Sequence, residues 1–345
     1  MILVAGGTGL VGSKVVQTLL AQQVPVRVMA RGLSDWATSS MPKLRRAGVE
    51  VVVGELTDAD KVRQAVANCD AIVHAAGVMR AGATGTARGI TVDGTRNLLE
   101  LGEAAGVQRF IFLSCLGASE HSQCDYFRSK WEAEAMVRQS SFYWTIFRPS
   151  LIFGTNSQMQ RIFEFLVTRA PFVPVIGSGL NMVSPVSAVD VASCVAQSLY
   201  DRDTVGKSYD LLGGADFDLV TLLVEASKLA GPAKGTFSIP TGLAIKLADW
   251  MAKLNPKAPI DGDVMRIITQ DFTGDAREAE AAFQLQFSGY KLGSTVTAAI
   301  TKTDNEREAI QSEDDQGQPW DSGSADSGPP PAGGSGRSSR KSRSR

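Results

Sequence analysis

The sequence predicts an α/β fold built on a doubly wound parallel sheet, with a smaller carboxyl-terminal lobe and a disordered tail. Three observations predict it. Short apolar runs alternate with helical patterns through the first 115 residues, and this alternation is typical of a parallel sheet covered by helices on both faces. After about residue 150 the alternation loosens, and glycine and proline recur. After about residue 303 the chain becomes rich in Gly, Ser and charge, a composition that buries too little apolar area to fold.

Each predicted element follows from its spacing. The predicted strands are mostly apolar, as expected for strands buried on both faces; they are Ile2–Ala5, Val26–Ala30, Val49–Val53, Ala71–His74 and Arg109–Ser114. Helical spacing covers Val11–Leu20, Asp60–Ala67, Thr91–Ala105, Leu219–Leu229 and Thr241–Leu254. We divide the chain into a core at residues 1–150, a lobe at 151–303 whose strands and helices return to the core, and the tail at 304–345.

The predicted helix Thr241–Leu254 has a marked apolar stripe. Its members are Leu243, Leu247, Trp250, Met251 and Leu254, whereas Asp249 and two lysines lie elsewhere on the helix. A stripe of this kind usually faces the core of a protein. We therefore predict that it is buried in the lobe with the charges toward solvent, and contact with a membrane surface is the alternative.

Composition excludes several classes of function. The 345 residues carry 35 Lys+Arg and 36 Asp+Glu, which argues against a globally basic nucleic-acid binder. Two histidines exclude a His-rich metal site and disfavour a Ser-His-Asp triad. Four cysteines without a CxxC pair indicate a reducing compartment, with neither disulfide framework nor zinc ribbon. We expect no metal.

Both ends of the sequence bear on location. The chain shows neither a signal peptide nor an apolar run long enough to span a membrane. We therefore expect a soluble protein that is not secreted, located in the cytoplasm or in an organelle after removal of a transit segment. The last nine residues, Arg337 to Arg345, alternate basic residues with serine. This tip either contacts an anionic surface or simply keeps the chain soluble.

A glycine-rich turn directly follows the first predicted strand. It consists of Gly6, Gly7, Thr8, Gly9, Leu10, Val11 and Gly12, and a helical pattern comes next. Glycines let backbone N–H groups approach a ligand, and the amino terminus of the following helix adds about half a positive charge. Because strand, turn and helix come in the order that dinucleotide binding requires, we predict a nucleotide site rather than an ordinary turn.

The residue after the second strand usually selects the nucleotide. An acidic residue there would bind the ribose hydroxyls of the adenosine. In this chain Ala30 is followed by Arg31, and the rival acid Asp35 lies four residues further on. An arginine can pair with a 2′-phosphate through charge-assisted hydrogen bonds. The sequence therefore predicts NADP(H) in preference to NAD(H), with a solvated Arg31 that has no role as the alternative.

These residues and several later segments resemble the short-chain dehydrogenase/reductase superfamily in its extended or atypical branch, over roughly residues 1–300. The similar segments occur in order: GxxGxxG at 6–12, GDLxD at 54–58, HxAA at 74–77, NvxGTxN at 91–97, YxxxK at 126–130, RPxxvyG at 148–154 and vxvxDV at 186–191. The resemblance implies a Rossmann-type core and assigns these further residues to the cofactor: Glu55, where the family usually has Asp, Leu56, Ala75, Ala76, Gly77 and Pro149.

The YxxxK segment carries the implied catalytic pair. Tyr126 and Lys130 are four residues apart, so on a helix they share a face. A nearby ammonium group is expected to lower the pKa of the tyrosine, which could then exchange a proton with a carbonyl or an alcohol. Lys130 can also hold the nicotinamide ribose. A surface Tyr and Lys on an ordinary helix is the alternative.

The chain departs from the family pattern at the third catalytic position. Extended members often carry paired serines after the fifth strand, the second of which is catalytic, but here the pair is Ser114-Cys115. A thiol is a weaker hydrogen-bond donor than a hydroxyl, and the side chain of Ser114 is expected to point to the opposite face. Carbonyl polarisation is therefore expected to be weaker than usual.

Two functions from different classes follow from the resemblance. The first is an NADP-preferring oxidoreductase or epimerase that transfers a hydride at a carbonyl or carbinol, with Tyr126 as acid/base and a fairly apolar small-molecule substrate. The second is a nucleotide-binding accessory or assembly protein of a larger complex, similar to the nucleotide-binding subunit of respiratory complex I. Cys115 favours the second function, whereas the intact Tyr126 and Lys130 favour the first.

Overall fold

The structure is a computed structural model that describes residues 1–31, 35–77, 79, 88–154, 157–169, 171–230, 234–255 and 258–287. All of these residues belong to one compact unit, Met1–Thr303. The predicted tail at 304–345 lies outside the described residues. The α/β fold class is confirmed.

The first half of the chain alternates strands and helices as predicted. The strands are β1 (Ile2–Ala5), β2 (Val26–Ala30), β3 (Glu50–Val53), β4 (Ala71–His74), β5 (Arg109–Leu113) and β6 (Tyr143–Pro149). The helices are α1 (Leu10–Ala21), α2 (Asp35–Arg46), α3 (Ala59–Val66), α4 (Gly94–Ala104) and α5 (Asp125–Gln139). The predicted helix Thr91–Ala105 is in fact α4 preceded by one π-helical turn, Gly89–Asp93.

The second half has shorter strands. They are β7 (Ile152–Phe153), β8 (Val173–Ile176), β9 (Met182–Val183), β10 (Val186–Ser187), β11 (Lys207–Leu211), β12 (Phe217–Asp218) and β13 (Thr236–Ile239). The helices are α6 (Gln158–Arg169), α7 (Ala188–Ser198), α8 (Leu219–Ala230), α9 (Thr241–Leu254), α10 (Gly262–Ile268) and α11 (Arg277–Phe283). Most of these elements form the lobe, but α7 and β11 return to the core.

The main sheet has seven strands in the order β11-β6-β5-β4-β1-β2-β3, and all of its pairs are parallel. The chain starts at β1, proceeds to β2 and β3 on one side, and then crosses to β4 on the other. The strand order therefore reverses between β1 and β4. In open α/β sheets, ligands bind beyond the carboxyl ends of the strands at such a reversal.

Apolar clusters cover both faces of the sheet. On one face Val4 packs with Val15 and Val191, from α1 and α7. On the other face Leu3 and Phe110 pack with side chains of α3, α4 and α5. Both faces of the central strands are therefore dry, which explains why the strands are apolar runs rather than alternating patterns. A third cluster, formed largely by the lobe, also includes Cys115 and lies against Tyr126.

The predicted orientation of α9 is wrong. Leu243, Leu247, Trp250 and Leu254 are exposed, and the side chains that face the lobe are the small Ala244 and Ala248, with Met251 half-buried. The two alanines allow α9 to pack closely on its neighbours. Asp249 fixes the rotation of the helix, because its carboxylate accepts a hydrogen bond from the backbone N–H of Gly262 at 2.7 Å.

Candidate functional site

The turn between β1 and α1 is built for close backbone approach. Gly6 has φ +83°, and a Cβ there would lie 2.7 Å from the backbone of Ala76. A Cβ on Gly12 would lie only 2.2 Å from the carbonyl oxygen of Gly6. Helix α1 begins at Leu10 after Gly9, which provides no side-chain cap. The N–H groups of the first turn therefore have the arrangement that binds anions.

The segments predicted to meet the cofactor surround this turn. Ala75 follows β4 and donates its N–H to the carbonyl of Ala5 at 2.9 Å. Leu56 is buried, and its carbonyl accepts a hydrogen bond from Asn97 Nδ2 at 2.7 Å. The remaining predicted residues lie at the same edge of the sheet; Thr8, Leu10, Glu55 and Ala76 are half-buried, Gly9 and Gly77 exposed, and Val11 and Pro149 buried. A single carboxyl edge thus brings these dispersed motifs together.

Arg31 is exposed and immediately follows the carboxyl end of β2. β2 is the neighbour of β1 on the side away from β4. The rival acid Asp35 is the first residue of α2, and its side chain lies outside the described part of the chain. Because β1 and β2 are parallel, Arg31 and the glycine turn follow the carboxyl ends of neighbouring strands.

Lys130 projects from α5 into the carboxyl edge of the sheet. Its Nζ donates a hydrogen bond to the carbonyl of Leu113 at 2.6 Å and lies 5.0 Å from the centroid of the Phe112 ring. A Cβ on Gly77 would lie 3.1 Å from this Nζ. Burial lowers the pKa of Lys130, and Cys115 and Glu134 partly oppose that shift. A buried cation therefore adjoins the segment that follows β4.

Tyr126 lies one helical turn before Lys130. It is half-buried and packs at a tilt on Phe127, with 5.7 Å between ring centroids. Burial raises the pKa of Tyr126 well above its usual value, and Cys115 raises it further. This result corrects the prediction that Lys130 lowers the tyrosine pKa. The reason is geometric, since the ammonium group is directed at the Leu113 carbonyl and the phenol lies in an apolar cluster.

Cys115, and not Ser114, is the side chain that interacts with Tyr126. A side-chain hydrogen bond with the phenol lowers the thiol pKa, but burial dominates and raises it to about 12. The thiol is therefore neutral near pH 7, which argues against a thiolate nucleophile. The Oγ of Ser114 is buried and has no hydrogen-bond partner among the described residues. The thiol of Cys115, and not the hydroxyl of Ser114, therefore adjoins the phenol.

Glu134 has a role that the motifs of the sequence did not indicate. Its side chain is fully buried and forms ion pairs with Arg138 and Arg148. Arg148, from β6, donates from Nε at 2.9 Å and from Nη2 at 2.6 Å. Tyr126, Lys130 and Glu134 follow at intervals of four, so one face of α5 carries all three. That interval was visible in the sequence, but the pairing with a distant arginine was not.

His74, at the end of β4, is a buried neutral imidazole. Its Nε2 lies 3.1 Å from Thr95 Oγ1, which in turn donates to the carbonyl of Thr91. The Thr95 hydroxyl must therefore accept from His74, so Nε2 carries the ring proton. Burial lowers the pKa of His74 to about 3, and the Lys130 charge contributes to the shift.

This shift predicts acid sensitivity. Between pH 6.5 and about 3 the unfolded chain binds a proton at His74 that the folded chain does not. The free energy of unfolding should therefore fall as the pH drops through this window, by at most about 1.4 kcal/mol per pH unit from this group. His74→Asn, which keeps a donor toward Thr95, should flatten the slope. Urea unfolding at a series of pH values measures it, and identical slopes for the two proteins would contradict the assignment.

Comparison with known proteins agrees with this geometry. A family model described as NAD(P)H-binding matches residues 6–202. The mitochondrial NADH dehydrogenase [ubiquinone] 1 alpha subcomplex subunit 9 of Arabidopsis thaliana is 30% identical over 223 residues, which cover 62% of this chain and 53% of that protein. A ceramide reductase of Caulobacter vibrioides is 29% identical over 198 residues, covering 57% and 59%. The chain thus spans little more than half the length of these two relatives.

The fold also matches solved structures. The UDP-glucuronic acid 4-epimerase of Bacillus cereus, in complex with UDP-glucuronic acid and NAD, superposes with a TM-score of 0.65 at 15% identity, over 88% of this chain and 99% of that chain. The likeness shows a shared fold. With its glycine turn at the reversal of strand order and a family match over residues 6–202, the chain belongs to the NAD(P)H-binding family.

Proposed function

We propose that the protein is an NADP(H)-preferring oxidoreductase of the short-chain dehydrogenase type that acts on a carbonyl or carbinol, with Tyr126 as acid/base. One observation carries the proposal: Lys130 Nζ is buried between Gly77 and the Leu113 carbonyl, and Tyr126 stands one turn away. The glycine turn fits a dinucleotide, because Gly6 and Gly12, where a Cβ would collide with backbone, keep the turn tight in front of the uncapped N–H groups of α1. The bound nicotinamide would supply the hydride chemistry.

The side chains have distinct tasks in this proposal. The Gly6–Gly12 turn and the first turn of α1 would hold the pyrophosphate, and Lys130 would hold the ribose hydroxyls of the nicotinamide half. Tyr126 is a neutral phenol near pH 7, so it carries the proton that reduction of a carbonyl requires. The raised pKa makes this phenol a weaker acid than an ordinary tyrosine. Cys115, a neutral thiol, polarises the carbonyl oxygen less than a serine hydroxyl would.

The surroundings of Tyr126 support an apolar substrate. Met79, Leu116 and Ala118 are half-buried hydrophobic residues that pack against the same cluster as Tyr126. Phe163, Val173 and Val175 are also apolar, but all three are buried inside the lobe and cannot meet a substrate. The apolar side chains next to Tyr126 therefore carry the preference.

The accessory function remains a second candidate, because Cys115 occupies the polarising position and one relative is a subunit of NADH dehydrogenase. Single-turnover absorbance of NADPH against a panel of apolar aldehydes and ketones distinguishes the two candidates. An oxidoreductase oxidises the nucleotide with at least one compound of the panel. An accessory protein binds the nucleotide and leaves it unchanged with all of them.

Arg31→Ala is expected to remove most of the preference for NADPH over NADH. Pairing of the guanidinium with a 2′-phosphate at this exposed position should be worth about tenfold in affinity. Isothermal titration of the cofactor-free protein with each nucleotide measures the preference. Arg63→Ala is the matched control, since Arg63 is an exposed arginine on α3 that pairs with Asp60. Equal affinities of the wild type for both nucleotides would refute the assignment.

A further inference from the structure

We propose that the exposed face of α9 docks on an anionic lipid surface. Four large apolar side chains form this face, and their exposed fractions are 58% for Leu243, 43% for Leu247, 59% for Trp250 and 66% for Leu254. Their spacing of four, three and four residues places them within an arc of about 60° on the helix. They therefore form one continuous strip along α9, which we call the α9 strip.

The rotation of α9 that exposes this strip is fixed by packing. Ala244 and Ala248 are buried on the opposite side. Asp249 Oδ1 accepts the N–H of Gly262 at 2.7 Å, and a Cβ on Gly262 would lie 2.6 Å from both carboxylate oxygens. Glycine at position 262 thus allows a contact that holds α9 against α10. Turning the α9 strip inward would break this contact and bring large side chains where only alanines fit.

The charges beside the α9 strip favour an anionic partner. Lys246 and Lys253 are exposed and lie along one border of the strip, seven residues apart. The only acidic residue of α9 is Asp249, and its carboxylate is engaged by the Gly262 N–H. Basic residues next to an apolar face that contains a tryptophan are typical of helices that lie at the interface of anionic membranes.

The dimensions of α9 indicate a helix that lies on the surface of a bilayer. Its 14 residues span about 21 Å at about 1.5 Å per residue, less than the roughly 30 Å of a hydrocarbon core. No helix in the described part of the chain is long and apolar enough to cross a membrane.

A second signal for the same surface stands in the sequence. The last nine residues, 337–345, contain five Arg or Lys residues and no acidic residue. Stable attachment of a peripheral protein generally needs two weak signals, for example an apolar element and a polybasic segment. The chain contains one element of each kind, the apolar α9 strip and the polybasic segment 337–345.

Vesicle flotation of the full-length protein tests the proposal. Wild type should float with vesicles of phosphatidylcholine and phosphatidylglycerol and much less with phosphatidylcholine alone. Leu247→Ser/Trp250→Ser should lower the affinity for the anionic vesicles by at least about tenfold, because it removes half of the strip. Tyr143→Ser is the matched control, since Tyr143 is 58% exposed at the start of β6, outside the α9 strip; it should float like wild type.

The proposal fails if wild type does not float with anionic vesicles or if the double variant floats equally well. It also fails if the double mutation abolishes self-association in sedimentation runs without any lipid binding, because a second copy of the chain would then cover the α9 strip. The double variant should keep the circular dichroism spectrum and the NADPH affinity of the wild type. Its loss of vesicle binding is then not caused by a loss of folding.

Discussion

Tyr126→Phe is expected to lower the rate of carbonyl reduction by roughly 10²- to 10⁴-fold, the usual effect of removing a general acid. The phenylalanine keeps the ring and its packing on Phe127. It removes only the hydroxyl, which is the proton donor in the proposed reaction. Affinity for NADPH should be retained, because Lys130 and the glycine turn are unchanged. Single-turnover absorbance with the best compound of the carbonyl panel measures the rate.

The control for this variant is Tyr143→Phe, because Tyr143 is exposed at the start of β6. Its rate should equal that of the wild type. If Tyr126→Phe retains the wild-type rate on every reactive compound, Tyr126 is not the acid. If the wild type reduces no compound at all, the accessory function is the better explanation of the same fold.

Glu134→Ala is expected to destabilise the protein by about 3–5 kcal/mol, as is typical when one partner of a buried ion pair is removed. The Glu134 carboxylate is fully buried and pairs with Arg148, which is only 25% exposed. Without this carboxylate, the Arg148 guanidinium loses the acceptor of two hydrogen bonds but stays largely buried. Urea unfolding at neutral pH measures the loss. Glu134 lies on the same face of α5 as Tyr126 and Lys130. Its loss should therefore also disturb Lys130 and lower the affinity for NADPH.

Glu132→Ala provides a matched control on the same helix. Glu132 also holds an arginine in two hydrogen bonds, to Arg88 at 2.5 and 2.8 Å. In that pair, however, the side chains are 40% and 59% exposed. Water screens and replaces an exposed ion pair, so the cost should stay below about 1 kcal/mol. Similar losses for the two variants would show that burial of Glu134 contributes little.

The central sheet could be predicted from the sequence because burial on both faces leaves a direct trace. Strand Ile2–Ala5 is apolar at every position and Ala71–His74 at every position but the last, and their observed bounds equal the predicted ones. The glycine turn was predictable for a related reason. Only glycine fits at Gly12, where a Cβ would lie 2.2 Å from a carbonyl oxygen. Burial of a strand residue and lack of space for a Cβ each restrict the residue type at a single position, so both are visible in the sequence.

Other properties depend on what a residue meets in space. The pKa of Tyr126 was predicted to fall, since Lys130 is four residues away, yet burial and Cys115 raise it. Helical spacing places the two residues on one face, but it does not show that the ammonium donates to the Leu113 carbonyl. Glu134 likewise pairs with Arg148 on the strand that follows α5, a contact that helical spacing does not reveal.

The α9 helix separates these two kinds of information. By itself the sequence determined that Thr241–Leu254 is helical and that one face carries Leu243, Leu247, Trp250 and Leu254, because helical periodicity is a local property. Only the tertiary structure decided that this face is exposed. The direction in which an amphipathic helix turns depends on the space its neighbours leave. Here Ala244 and Ala248 face the lobe and Asp249 accepts the N–H of Gly262, an arrangement that leaves the larger side chains outside.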